Sequence, residues 1–380
     1  MAQDYKNIAI IGAGASGCLC AYFLLQAGFE VTLFDKASPL RTLLPTGGGR
    51  CNLAHAEYDF REFAKNYPRG EKFLYSIFSK FSTADTIEVF EKMGIKTYVQ
   101  DNGRIFPESN SAKDVREKVL NNLKQANFVK EEVLNIQQKN NEFKVITKNA
   151  QYLFSDVVIA VGGHSGLNLI DKLGIKTVIQ KPSLVGLNTS EDFKSLSGTV
   201  IKNASINGYE GDVLFTHFGV SGPLIYTISS IKAFDEMPYK LNIDLAPNLI
   251  DLQNDLNIYP HKEIKNILNK YLPQKVTSFI LKDIDDTTKA HKINGQVRDY
   301  ILDKIHNFEI TALATNKGEE TVTAGGIDLN EINPKTMEIK TIPHLYAIGE
   351  ILNIDGFCGG FNLQNAWSTA YVCAEALKNQ

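Results

Sequence analysis

Asn7-Ile8-Ala9-Ile10-Ile11 is a short apolar run without polar alternation, the pattern of a strand buried on both faces of a parallel sheet. Gly12 to Gly17 interrupts it. Apolar positions then return at helical spacing, and Cys20, Phe23, Leu24 and Ala27 predict a helix over Ser16–Ala27 that Gly28 stops. Val31-Thr32-Leu33-Phe34-Asp35 predicts a second strand. Residues 42–53, with three consecutive glycines, predict a loop, and residues 70–93 predict helices with aromatic faces. Ser111 can cap a helix running to about Asn127, with Asp114 three residues on. Glu132 to Ile146 predicts a hairpin around Lys139-Asn140-Asn141, and Asp156 to Val161 another buried strand ending at Gly162-Gly163.

From about residue 185 the rhythm changes. Short strand-like runs (Val200–Ile206, Asp212–Thr216, Lys240–Leu245) alternate with Gly, Asn and Ser turns, and residues 249–306 predict a helical subdomain. Strand patterns resume at Glu320 with Thr321-Val322-Thr323-Ala324-Gly325-Gly326. They end in strand Leu345–Ile348, a loop, and a helix over Asn365–Leu377 that buries Trp367. The expected organisation is an α/β domain, residues 1–185 and 320–380, interrupted by a β-rich unit at 186–319.

Composition narrows the function classes. A formal net charge of −3 gives no global pull toward nucleic acid or anionic membrane. The longest apolar runs are strand-length, which predicts no membrane span. Asp4 and Lys6 break up the first residues, so no secretory signal is expected and a reduced cytoplasmic setting is the default. Among Cys18, Cys20, Cys51, Cys358 and Cys373 there is no Cys-x-x-Cys, which argues against a dithiol reductase. Cys18 and Cys20, two apart on a helix, should face different directions and pack. No metal site is expected.

Gly12-Ala13-Gly14-Ala15-Ser16-Gly17 fits the dinucleotide fingerprint in its full context: a strand before, a helix after, and Asp35 ending the next strand. Gly12 makes the tight turn, Gly14 lets backbone N–H groups approach a pyrophosphate, and Gly17 permits close helix–strand packing. An acid at Asp35 suits an unphosphorylated adenosine ribose, with Lys36 beside it. Leu345-Tyr346-Ala347-Ile348-Gly349-Glu350 has the form of the late strand that FAD enzymes of the glutathione-reductase type bring under the cofactor. Its closing acid bonds the ribityl chain, and Val157–Val161 before Gly162-Gly163 fits the middle return strand. The reading is non-covalent FAD on a Rossmann domain, with NAD(P)H as a transient electron donor and no permanent site of its own.

Five further motifs carry a family resemblance: Thr46-Gly47-Gly48-Gly49-Arg50-Cys51-Asn52-Leu53, Gly103-Arg104-Ile105-Phe106-Pro107, Leu214 to Pro223, Val322 to Ile327, and Gly349-Glu350 with Asp355 to Gln364. On these the chain resembles the bacterial BaiN-like (YhiN-like) flavoproteins, described as NAD(P)/FAD-dependent oxidoreductases or aminoacetone oxidases. The resemblance implies that Thr46, Gly48, Gly49, Arg50, Cys51 and Asn52 wrap the pyrophosphate and flavin side. It implies that backbone near Val133 meets the adenine, and that Gly360, Phe361, Asn362 and Leu363 line the ribityl and isoalloxazine. It also implies that the inserted unit is β-barrel-like and roofs the flavin. The chain departs from the family pattern in a shortened loop after Gly163, in Asn353 for Asp, in Cys358 for Thr and in Phe361 for Tyr.

His217 is the first candidate for proton transfer, because imidazole titrates near neutrality. Arg50 is the second candidate, able to stabilise an anionic reduced flavin, and Arg104 is a third contact. Cys51 and Cys358 both fall in flavin-adjacent motifs, as packing or as a redox pair. The reading from sequence is an oxidoreductase transferring hydride at flavin N5 to or from an unidentified small molecule. Two alternatives stay open: reduction of a uridine in ribosomal RNA to dihydrouridine, and a flavin-binding sensor or scaffold without turnover.

Overall fold

The structure is a computed structural model and describes residues 7–139, 142–163, 166–316, 318 and 322–380. The chain divides into two compact units, residues 1–181 with 322–380, and residues 182–321.

The first unit is built on a five-stranded sheet in the spatial order Leu345–Ala347, Asp156–Ile159, Asn7–Ile11, Glu30–Phe34, Asn127–Val129, every neighbouring pair parallel. The central strand is buried along Ile8–Ile11, which explains its unalternated apolar run. Helix Ala15–Gln26 connects it to the next strand, and helix Phe361–Lys378 packs alongside. Phe23 of the first helix meets Tyr371 of the second edge-on, ring centroids 5.2 Å apart. Trp367 is buried as expected, and its Nε1 donates to the Leu53 carbonyl at 2.9 Å. That bond ties the last helix to the end of the glycine loop.

The helix expected to reach Asn127 stops at Asn121, and Asn127–Val129 is instead the fifth parallel strand. Two poor helix formers, Asn121 and Asn122, end the helix while Leu123 packs into the core. The strand's three residues are too few to carry a period, and Phe128 at its centre is 44% exposed. The hairpin forms between Val133–Lys139 and Glu142–Thr147 and gains a third strand, Gln151–Phe154. Asn140 and Asn141 of its turn lie outside the described residues, as do His164-Ser165 after Gly163 and Glu320-Thr321 before the return strand.

The second unit opens with six antiparallel strands. Their spatial order is Val200–Ile206, Tyr209–Phe215, Gly219–Ser221, Leu187–Thr189, Phe308–Thr315, Tyr239–Ile243. The two edges meet: Ser205 and Asp244 exchange both backbone hydrogen bonds at 2.9 Å, so the sheet closes on itself. Closure removes the unpaired edges that an open sheet would present. Phe193, Phe215 and Phe308 fill its interior, with Phe193 and Phe215 centroids 5.0 Å apart. The expected helical stretch is four short helices, Leu252–Ile258, Ile264–Leu268, Gln274–Ile280 and Gly295–His306.

Candidate functional site

The site-bearing loops of the first unit sit at the carboxyl ends of its parallel strands, where open α/β sheets bind ligands. Gly12 has φ +107°, and a Cβ there would stand 2.2 Å from the Ala160 carbonyl oxygen. A Cβ on Gly17 would stand 2.0 Å from the Gly12 carbonyl, so helix and strand touch through backbone. Gly14 differs. It is the helix N-cap, no side chain caps it, and a Cβ there meets nothing within 4 Å. The first amides of the helix carry no side-chain cap and the space beside Gly14 is open, an arrangement suited to an anion. Asp35 braces this turn, accepting from Ala13 N at 2.8 Å and from Ala37 N at 2.7 Å. Lys36 is turned to Glu132, 2.9 Å away. Val133, half-buried, starts the strand that follows.

The glycine loop is a run of left-handed residues: Gly47, Gly48, Gly49 and Cys51 have φ of 58°, 68°, 83° and 65°. At Gly47 the conformation is also sterically required, because a Cβ would sit 2.7 Å from Asn52 N. Thr46 Oγ1 donates to the Leu43 carbonyl at 2.6 Å and Thr46 O accepts from Cys51 N at 2.9 Å, closing the turn. Arg50 stacks its guanidinium 4.1 Å above the Phe106 ring, and its Nε donates to the Gly47 carbonyl at 3.3 Å. It is held by an aromatic face and a carbonyl, with no carboxylate partner among the described residues.

A third group gathers at the end of the late strand. Gly349 N donates to Thr369 Oγ1 at 3.0 Å, and Glu350 Oε1 accepts from Thr323 N at 2.9 Å. Glu350 Oε2 lies 3.9 Å from where a Gly162 Cβ would stand, and a Cβ on Gly163 would strike Thr323 Oγ1 at 2.2 Å. The glycine pair, Thr323 and Glu350 thus form one packed corner.

The loop from Asp355 to Asn362 is clamped from within. Asn362 Nδ2 donates to the Gly356 carbonyl at 2.7 Å while its Oδ1 accepts from Gly356 N at 2.8 Å. Tyr67 Oη donates to Phe361 O at 2.6 Å, and Arg69 grips Asp355 through both Nε and Nη2. His55 is the residue the sequence reading missed. It stacks on Phe361 at 4.7 Å and 23°, and its Nδ1 lies 3.2 Å from the Gly359 carbonyl. Burial lowers its pKa, opposed by that carbonyl. It joins three of the quoted motifs, and the one available signal was its place two residues beyond Leu53.

The thiols divide clearly. All five cysteines are free. Cys51 is buried, and burial pushes its thiol up to about 12. Cys358 is exposed, with Arg104 Nη2 3.7 Å from its sulfur. Cys18 Sγ donates to the Ala13 carbonyl at 3.3 Å, while Cys20 turns to Cys373. Alkylation of the native protein near pH 8 should therefore label Cys358 alone, as read by peptide mass spectrometry, because reactivity needs an accessible thiolate. Labelling of Cys51 at a comparable rate would contradict its burial.

The residues fit FAD. The uncapped amides and empty space at Gly14 suit its pyrophosphate. Asn52, Asn353 and Asn365 each hold a buried Oδ1 without a hydrogen-bond partner among the described residues, and such acceptors suit a ligand carrying hydroxyl and N–H donors. In the second unit His217 lies exposed in the turn between Tyr209–Phe215 and Gly219–Ser221. The turn is closed without it: Thr216 N donates to Gly219 O at 2.9 Å, and Gly219 N to Thr216 Oγ1 at 3.1 Å.

Fold and site together define a flavoprotein oxidoreductase with an FAD-binding Rossmann fold. The chain belongs to the family described as HI0933-like protein Rossmann domain, whose model matches residues 6–376. It is 30% identical to a ribosomal RNA dihydrouridine synthase of Haemophilus influenzae over 100% of both chains. It is 29% identical to the Escherichia coli protein of the same name over 97% of each. It is also 26% identical to a 3-dehydro-bile acid delta(4,6)-reductase of Clostridium scindens over 98% of each. Among solved structures, the open conformation of a flavocytochrome c3 fumarate reductase matches 98% of this chain and 78% of its own, at 14% identity and a TM-score of 0.53, a likeness of fold. No helix among the described residues is long and apolar enough to cross a membrane.

Proposed function

We propose that this protein reduces the 5,6 double bond of a uridine in ribosomal RNA, giving dihydrouridine. The observation that carries the reading is the end-to-end match, at 30% and 29% identity, to two relatives that bear that name. It displaces the small-molecule reading to second place. The match to a bile acid reductase keeps that reading alive, and the two share their chemistry: each name implies reduction of a carbon–carbon double bond conjugated to a carbonyl.

FAD, when bound, supplies the hydride from N5 of its reduced form. In the net reaction uridine gains that hydride and a proton, and NAD(P)H is oxidised. The chain's own residues bind, position and protonate. The amides at Gly14 and the glycine loop hold the anionic cofactor. Arg50, kept in place by Phe106, offers a positive charge, and a base must be unstacked to reach a flavin. His217 is assigned the proton delivered to the uracil ring; its exposed imidazole has no hydrogen-bond partner among the described residues.

Nucleoside mass spectrometry of ribosomal RNA from a deletion strain should show dihydrouridine lost, and the wild-type gene should restore it. Unchanged dihydrouridine would refute the reading. His217→Ala should retain FAD and lower turnover by roughly 10²-fold, with near-normal turnover removing His217 from the chemistry.

A further inference from the structure

The second unit holds a cleft that none of these assignments uses. Its volume is about 500 Å³, within the size range of small-molecule sites. Helix Gly295–His306, the end of helix Gln274–Ile280 and strands Tyr239–Ile243 and Phe308–Thr315 supply its walls. Phe279 and Phe308, centroids 6.2 Å apart, give it an aromatic floor, and Tyr300 stands at its side.

Its charged groups fall into two classes. The carboxylates are engaged. Glu191 takes Thr311 N on both oxygens at 3.1 and 3.0 Å, Glu309 pairs with Lys240 at 2.8 Å, and Asp303 accepts from Asn307 Nδ2 at 3.0 Å. The ammonium groups have no carboxylate within 4.0 Å among the described residues; each lies instead over a ring, Lys282 5.6 Å from the Phe279 centroid and Lys304 5.5 Å from that of Tyr300. The Asn242 side chain is exposed and has no hydrogen-bond partner among the described residues.

Aromatic rings, an exposed amide and two ammonium groups without carboxylate partners form the chemistry that recognises a nucleotide: a base to stack, an edge to read, a phosphate to neutralise. We propose that this cleft binds one unstacked nucleotide of the RNA substrate, apart from the uridine that is reduced. The inference rests on the RNA-modifying reading above. The same chemistry could come from a free dinucleotide, so the test separates the two sources.

The test uses the full chain loaded with FAD. The variants are Lys282→Ala with Lys304→Ala, Asn242→Ala, and Tyr300→Ala, all at exposed positions. A fluorescein-labelled ribosomal RNA transcript is followed by fluorescence anisotropy at several salt concentrations, and NADPH and NADH by anaerobic flavin reduction. The double lysine variant should bind the transcript about tenfold more weakly, and its log–log salt slope should be shallower by roughly 1.4, two phosphate contacts at about 0.7 each. Tyr300→Ala should weaken binding by about tenfold, the loss of one stacked base. In dihydrouridine formation KM for the transcript should rise with kcat unchanged, and flavin reduction should not move. RNA affinity within twofold of wild type in all variants overturns the proposal. A raised KM for NADPH or NADH with unchanged RNA binding also overturns it, assigning the cleft to the free dinucleotide. Weakened RNA binding in a protein that forms no dihydrouridine upholds the cleft and removes the uridine reading instead.

Discussion

Gly14→Val is expected to fold as the wild type does and to purify colourless. The two halves of that expectation come from different observations. A Cβ at Gly14 meets no atom of the chain within 4 Å, and its φ of −79° and ψ of −163° are extended backbone that valine adopts readily. Neither the backbone conformation nor the space at the Cβ resists the substitution. The space it enters is the one beside the uncapped amides of helix Ala15–Gln26, where the pyrophosphate is proposed to bind. The isopropyl group displaces the phosphates and blocks several amide contacts together. Loss of two charge-assisted hydrogen bonds, at about 1.5–3 kcal/mol each, weakens FAD binding by at least roughly 10²-fold. Circular dichroism should match that of wild-type apoprotein, and absorbance near 450 nm should be absent. Gly12→Ala is the contrast: its Cβ would lie 2.2 Å from a backbone oxygen, so that variant should lose stability before it loses cofactor. A yellow Gly14→Val protein with stoichiometric FAD would place the pyrophosphate elsewhere.

What was legible in the sequence was whatever depends on near neighbours. The strand–glycine–helix–acid pattern at 7–35 follows from local backbone needs, and Gly12, Gly14 and Gly17 have distinct steric reasons visible at their own positions. The unalternated run Ile8–Ile11 announced a strand buried on both faces, and it is one. Strand Asn127–Val129 was illegible because three residues hold no period. Its identity comes from pairing with Thr32–Phe34, nearly a hundred positions away. The β-barrel-like form of the inserted unit was expected only through the family resemblance, and its closure through Ser205 and Asp244 was not legible in the residues themselves, since two reciprocal backbone bonds leave no mark on side-chain choice. His55 was missed for the same reason: its partners Phe361 and Gly359 are some three hundred residues distant. Arg50 was legible as a candidate, but its stacking on Phe106 was not, because the two motifs meet only in the fold.

The Arg69–Asp355 pair yields the largest effect expected on stability. The Asp355 carboxylate is wholly buried and the Arg69 side chain only 14% exposed, so both charges leave water and are stabilised chiefly by each other and their neighbours. Removing one partner strands the other in a low-dielectric interior, at a cost of about 3–5 kcal/mol. Arg69→Ala should therefore lower the melting temperature by about 6–20 °C, taking roughly 2–4 °C per kcal/mol for a unit of this size. The damage should also reach the cofactor, because Asp355 opens the loop that Asn362 and Tyr67 hold in place. FAD affinity should fall in Arg69→Ala even well below the melting temperature. Arg69→Met combined with Asp355→Leu removes both charges together and should recover much of the stability, since a buried pair replaced by apolar side chains often costs little. It should not recover FAD affinity to the same degree, because the fork that fixes the loop is gone. Differential scanning calorimetry of the three proteins, with flavin fluorescence titrations at 20 °C, reads both effects. A change of less than about 1 kcal/mol in Arg69→Ala would show that solvent reaches Asp355 and that the pair does not organise the loop.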